Sequence, residues 1–69
     1  MLLRIVSVLN QKGIAQKTCA DYLRISEKSW FNKTRGLTDF TYKEARALKQ
    51  LFPEFDIDYL LGRTDDQGA

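Results

Sequence analysis

An all-α fold, a compact bundle of five short helices, is what this sequence predicts, and three observations lead to it. The helix formers Leu, Ala, Lys, Gln and Arg are plentiful, while four Gly and one Pro are too few for a loop-rich chain. Apolar residues recur at helical spacing in successive short segments. Gly or Pro falls at the ends of those segments, where helices stop. With 69 residues and 43% hydrophobic side chains there is room for one small core. We therefore expect a single domain over residues 1–62 and a flexible acidic tail over 63–69, RTDDQGA, which has nothing apolar to bury.

The elements follow in order. Leu2, Ile5, Val6 and Leu9 share one face of a helix over 2–11, stopped by Gly13 as a left-handed cap. Cys19, Ala20 and Leu23 form the stripe of a second helix over about 15–23, and the pattern breaks at Arg24 and Ile25. Ser26 restarts it as an N-cap able to accept from the amide of Lys28 or Ser29, opening a third helix that runs through Arg35 to Gly36. Thr41 and Glu44 read as a capping box for a fourth helix carrying Ala45, Leu48, Leu51 and Phe52, which Pro53 ends. Asp56 suits the cap of a last short helix over 57–61, closed by Gly62.

Composition excludes several function classes. One cysteine cannot form an internal disulfide, and with no histidine there is no imidazole for a metal or for proton transfer near neutral pH. Cys19 shares the apolar face of Ala20 and Leu23, so it reads as a small core residue. The carboxylates are scattered, and no Gly-rich phosphate loop or nucleophile–base pair occurs, so an enzyme is not expected. No metal, cofactor or small-molecule ligand is expected either. The apolar start is interrupted by Arg4 and lacks a small-residue cleavage site, which argues against a signal peptide or a membrane span and for a cytoplasmic protein.

Charge is unevenly placed along the chain. Residues 1–52 hold ten Lys and Arg against four acids, a balance of +6, whereas residues 53–69 hold one Arg against five acids, a balance of −4. A basic body suits a polyanionic partner; ordinary solvated surface charge is the alternative.

Two helices separated by a three-residue break cannot lie antiparallel, so 16–35 is expected to cross steeply as a helix-turn-helix. Ala20 permits close approach, and Leu23, Ile25 and Trp30 have the spacing of residues that lock the pair, with Trp30 in the core. Over roughly 2–62 the chain resembles the repressor and Cro family of phage and bacterial regulators, with their lambda-repressor-like fold of five helices. The string QKTCADYLRISEKSWFNKTRG, then the Phe of DFTYKEARAL, then DIDYLLG carry that resemblance in order. Three positions depart from the family pattern. Arg24 replaces the usual turn Gly, Ala15 replaces a Thr or Ser cap, and Glu27 puts an acid at the start of the third helix.

The resemblance implies a regulator of transcription, of a bacterial or phage-infected cell, that binds double-stranded DNA as a homodimer and represses at an operator. Lys28 and Asn32, four apart on one face, are the best base readers, since Lys donates to guanine and Asn pairs with adenine. Glu27 is a third, if it accepts from a cytosine amino group. Gln16, Lys17, Ser29, Lys33, Arg35, Thr41 and Lys43 are candidates for the phosphate backbone. Phe31 suits a thymine methyl or a protein partner, and equally suits packing on the fourth helix or Leu37. Phe55, Ile57, Tyr59 and Leu60 exceed what a short last helix can bury and are candidates for the dimer interface. The competing expectation is a protein-interaction module of the same fold, antirepressor or antitoxin-like, which Glu27 and Phe31 favour.

Overall fold

Five helices follow one another along residues 2–62, the part of the chain that the structure, a computed structural model, describes: α1 (Arg4–Lys12), α2 (Gln16–Leu23), α3 (Glu27–Thr34), α4 (Tyr42–Leu51) and α5 (Ile57–Leu60). The tail expected at 63–69 lies outside the described residues. None of the described helices is long and apolar enough to cross a membrane.

Helix α1 starts later than its stripe suggests. Leu3 stays extended and its N–H donates to the Thr34 carbonyl at 2.8 Å, while the Arg4 N–H donates to the Gly62 carbonyl at 2.6 Å. These bonds fasten the chain's start to the end of α3 and to the residue closing α5. They also turn Leu2 outward, so Leu3, Ile5, Val6, Val8 and Leu9 supply the buried face in its place. Gly13 ends α1 with φ 69°, and its backbone N–H and that of Ile14 reach back to Asn10 and Leu9.

The α2–α3 connection runs through a residue glycine would normally occupy. Arg24 is left-handed, with φ 61° and ψ 40°, and the Ile25 N–H donates to the Ala20 carbonyl at 3.0 Å. Ala15, at the start of α2, gives no side-chain cap, as its methyl dictates. Ser26 does cap α3, its hydroxyl accepting from the Ser29 N–H at 3.0 Å. Between them the two helices bury Cys19, Ala20, Leu23 and Trp30.

The capping box of α4 is complete. The Glu44 N–H donates to the Thr41 hydroxyl, and the Thr41 N–H donates back to the Glu44 carboxylate at 2.8 Å. That carboxylate also takes the Lys33 ammonium at 3.1 Å, and Lys33 donates to the Asp39 carbonyl at 2.9 Å. One lysine near the end of α3 thus clamps the intervening loop and the start of α4. Burial alone would push Glu44 up, but the Thr41 amide and the Lys33 ammonium outweigh it and hold the carboxyl below the ordinary range.

Helix α5 is one turn long and packs against both α1 and α4. Asp56 occupies its N-cap position without making the expected side-chain bond. The Arg4 guanidinium donates to the Tyr59 carbonyl at 3.0 Å and lies 4.6 Å from the Tyr59 ring centre, supplying positive charge at the helix end. A Cβ on Gly62 would stand 2.7 Å from the tip of that guanidinium and 3.2 Å from the Asp58 carbonyl, so a larger residue there needs the flexible Arg4 side chain to shift.

Two outcomes are expected from this architecture. Arg24→Gly should stabilise the domain by about 0.5–1 kcal/mol, the left-handed strain of about 1–2 kcal/mol less the backbone entropy of about 0.5–1 kcal/mol that glycine costs. Urea unfolding with an unchanged m-value checks it, and an unstabilised variant would show that Arg24 is held by side-chain interactions worth as much. Glu44 has a lowered folded-state pKa, so its contribution is present above the ordinary value of 4.5 and is lost as pH falls through the folded value. Glu44→Gln should therefore be less stable than the parent at pH 7, with the gap closing in acid; a constant gap from pH 7 to pH 3 contradicts the clamp.

Candidate nucleic-acid interface

The exposed side of the α2–turn–α3 unit is built from a buried one. On α3 only Trp30 and Thr34, four residues apart, are fully buried, and this fixes the helix's rotation. Trp30 meets Phe40 edge-on with ring centres 5.8 Å apart, and its indole N–H donates to the Gln16 side-chain oxygen at 2.9 Å. With that rotation set, Glu27 and Lys28 are exposed and Ser29, Phe31 and Asn32 are half-buried.

Side-chain bonds gather three elements here. Gln16 ties the first residue of α2 to the middle of α3, and Lys33 ties the end of α3 to the start of α4. The candidates named from sequence on α2, α3 and the α4 start therefore belong to one continuous region. Lys28, Asn32 and Lys43 have no side-chain partner among the described residues, which leaves their donors for a ligand. Arg35, the residue after α3, stacks over Phe31 at 5.3 Å, and its guanidinium N–H groups have no partner among the described residues. Lys17 forms an exposed pair with Asp21 at 3.2 Å, a contact that solvent screens and another anion can compete for.

Other candidates are already engaged within the chain. Lys33 is largely buried against Glu44 and Asp39, so its role as a phosphate contact is corrected to that of an internal clamp. The Thr41 hydroxyl and N–H both serve the α4 cap, although the hydroxyl keeps its own proton to donate. Ser29 contributes its backbone N–H to the Ser26 cap. Glu27 stands in the first turn of α3, where a negative charge is favourable toward the helix dipole, and this local role accounts for an acid at that position. Phe31 is half-buried, packs against the core and lies under the Arg35 guanidinium.

The candidate dimer residues separate by burial. Leu60 is 0% exposed, plugging the space between α5 and the rest of the core, and is withdrawn as an interface residue. A single helical turn buries more than its length suggests because it packs on α1 and α4 at once. Phe55 and Ile57 are half-buried against the same core, leaving Tyr59, 45% exposed, as the outermost member. Phe55 stacks on Tyr59 at 5.5 Å, with Lys12 5.8 Å from the Phe55 ring centre. The Lys12 ammonium beside Glu54, 2.7 Å away, lowers that carboxyl's pKa.

Sequence reasoning missed the Gln16–Trp30 bond and the burial of Thr34. Thr34 was available from its spacing, one helical turn after Trp30. The indole bond joins residues 14 apart and leaves no periodic trace. Burial pushes the Cys19 thiol up to about 11, which keeps it protonated and unreactive at neutral pH. Among the described residues no group of acids and cysteine is placed to hold a metal ion. No family model, curated protein or solved structure matches this chain.

Proposed function

We propose that this chain is a sequence-specific binder of double-stranded DNA that regulates transcription, acting as a dimer on an operator in the manner of the phage repressors and Cro proteins it resembles. The observation that carries the proposal is the combination on α3. Its rotation is locked by buried Trp30 and Thr34, while Lys28 and Asn32 carry donors with no partner among the described residues. A rigid helix with unsatisfied, spaced donors is what reading base edges in a major groove requires. Gln16, Lys17, Arg35 and Lys43 supply backbone contacts around it, and the Tyr59 edge of α5 supports self-association. The site of action is the nucleoid in the cytoplasm, and the reading assigns the chain no catalysis.

A second reading keeps the fold and gives the same face to a protein partner. Leu37 and Tyr42, 72% and 76% exposed beside the α3–α4 loop, favour it, because large apolar groups left in water mark protein contacts. The charges favour DNA, since Lys28, Arg35, Lys43 and Arg46 outnumber Glu27 and Asp39 on and around that face.

Titrations on selected and random duplexes at several salt concentrations distinguish the two. On DNA, log affinity should fall with log salt with a slope on the order of −3 to −8 for a dimer. Lys28→Ala or Asn32→Ala should cost about 1–3 kcal/mol on the selected site and far less on random DNA. Arg35→Ala should weaken both alike and make the slope shallower by about one. No binding by the folded protein at low salt contradicts the DNA reading and favours the protein partner. Equal losses on both duplexes for the α3 variants contradict α3 as the reader.

A further inference from the structure

Trp30 combines two properties that a simple core residue does not need together. It is fully buried, and its one polar atom is spent on Gln16, a residue at the boundary between core and surface. A position needing only apolar volume is filled at less cost by Leu, Ile or Phe, because a buried indole N–H without a partner is destabilising. The partner it has found is a carboxamide, which carries an acceptor and a donor on the same carbon. An indole nitrogen only donates, so the end of Gln16 facing it must be the oxygen. The NH2 end then diverges from the indole at the trigonal carbon, and it has no partner among the described residues. The bond to the oxygen restrains the rotation of the amide.

We propose that Trp30 is a positioning residue: its buried indole holds the Gln16 carboxamide with the oxygen inward, so that the NH2 is presented to a DNA phosphate. This rests on the DNA-binding reading above. The fixed orientation removes the rotamer cost of ordering Gln16 on binding, and it couples the base-reading helix to the backbone contact at the start of α2. Lys17 next to it adds charge, and with no side-chain cap from Ala15 the Gln16 and Lys17 amides have no acceptor among the described residues, while the Thr18 N–H donates to the Ala15 carbonyl at 3.1 Å. One hydrogen bond therefore sets the register between the helix that reads and the helix that grips. A phosphate gripped at α2 is at a fixed offset from the bases met by α3.

The test is a double-mutant cycle of Trp30→Phe and Gln16→Met, read by affinity for a random duplex at low salt and by thermal melting. Phe keeps most of the ring packed against Phe40 and deletes the N–H; Met keeps the length of Gln and deletes both polar ends. Gln16→Met should weaken binding about tenfold or more in the parent, the loss expected for a hydrogen bond to a charged group. It should cost less than twofold in the Trp30→Phe background, because the amide there is already unoriented. Trp30→Phe alone should weaken binding while the protein stays folded at the assay temperature. A folded Trp30→Phe protein that binds like the parent, or equal Gln16→Met losses in both backgrounds, overturns the proposal and leaves Gln16 as a mere partner for the indole. If the Trp30→Phe variant does not fold, the indole N–H resonance of the single tryptophan decides. It should shift on DNA addition in the parent and stay in place in Gln16→Met, and a parent resonance that stays in place overturns the proposal. A folded parent that binds no DNA overturns the DNA reading itself, and is recognised before any variant is made.

Discussion

Everything exposed on α3 depends on the burial of Trp30. Helix α3 has eight residues, too few to be stable alone in water, so its conformation is set by what its apolar side finds to pack against. Trp30 is the largest side chain in the core, pressed edge-on against Phe40 from the α3–α4 loop and bonded through its nitrogen to the start of α2. Ser26 closes the first turn, the Leu3 N–H takes the Thr34 carbonyl at the last, and Lys33 clamps the following loop. A helix held at its cap, its middle and its end has one rotation about its axis. Rotation is what decides which side chains meet a ligand.

The small net charge hides a division of labour among the cations. Lys12, Lys33 and Lys49 are used inside the chain, on Glu54, on Glu44 with the Asp39 carbonyl, and on the carbonyls of Pro53 and Phe55. Arg4 binds the end of α5 in the same way. Lys28, Arg35, Lys43 and Arg46 are left on the outer surface of α3 and α4, with at most an aromatic ring beneath them. Of the first kind, Lys12 and Lys33 face carboxylates that offset their external field while Lys49 bonds carbonyls and keeps its charge, whereas the second kind have donors left to displace counterions from a polyanion. Counting residues along the sequence does not separate the two; their hydrogen-bond partners do.

Local chemistry explains what the sequence revealed. The Gly13 cap, the Ser26 cap and the Thr41–Glu44 box are signals read within four residues, and all three stand in the structure. The spacing of Cys19, Ala20, Leu23 and Trp30 likewise led to the packed pair α2 and α3. Misplacements arose where a distant backbone overrode local pattern. Leu2 fits the α1 stripe, yet the Thr34 and Gly62 carbonyls capture the preceding turn and expose it. Leu60 looked surplus on a one-turn helix, yet contact with two other helices buries it. Lys33 looked like a surface cation because its acidic partner lies 11 residues away, beyond any helical spacing rule.

The proposed DNA-binding face is the one shared by α2 and α3 and oriented by Trp30. Backbone amide shifts of the labelled protein, followed while a short duplex is titrated in, test it most directly. Shifts are expected to concentrate at Gln16, Lys17 and along Glu27–Thr34, with smaller ones at Thr41 and Lys43 and none in the middle of α1. Shifts confined to the α5 edge, or none at all with the protein folded and the salt low, would contradict it.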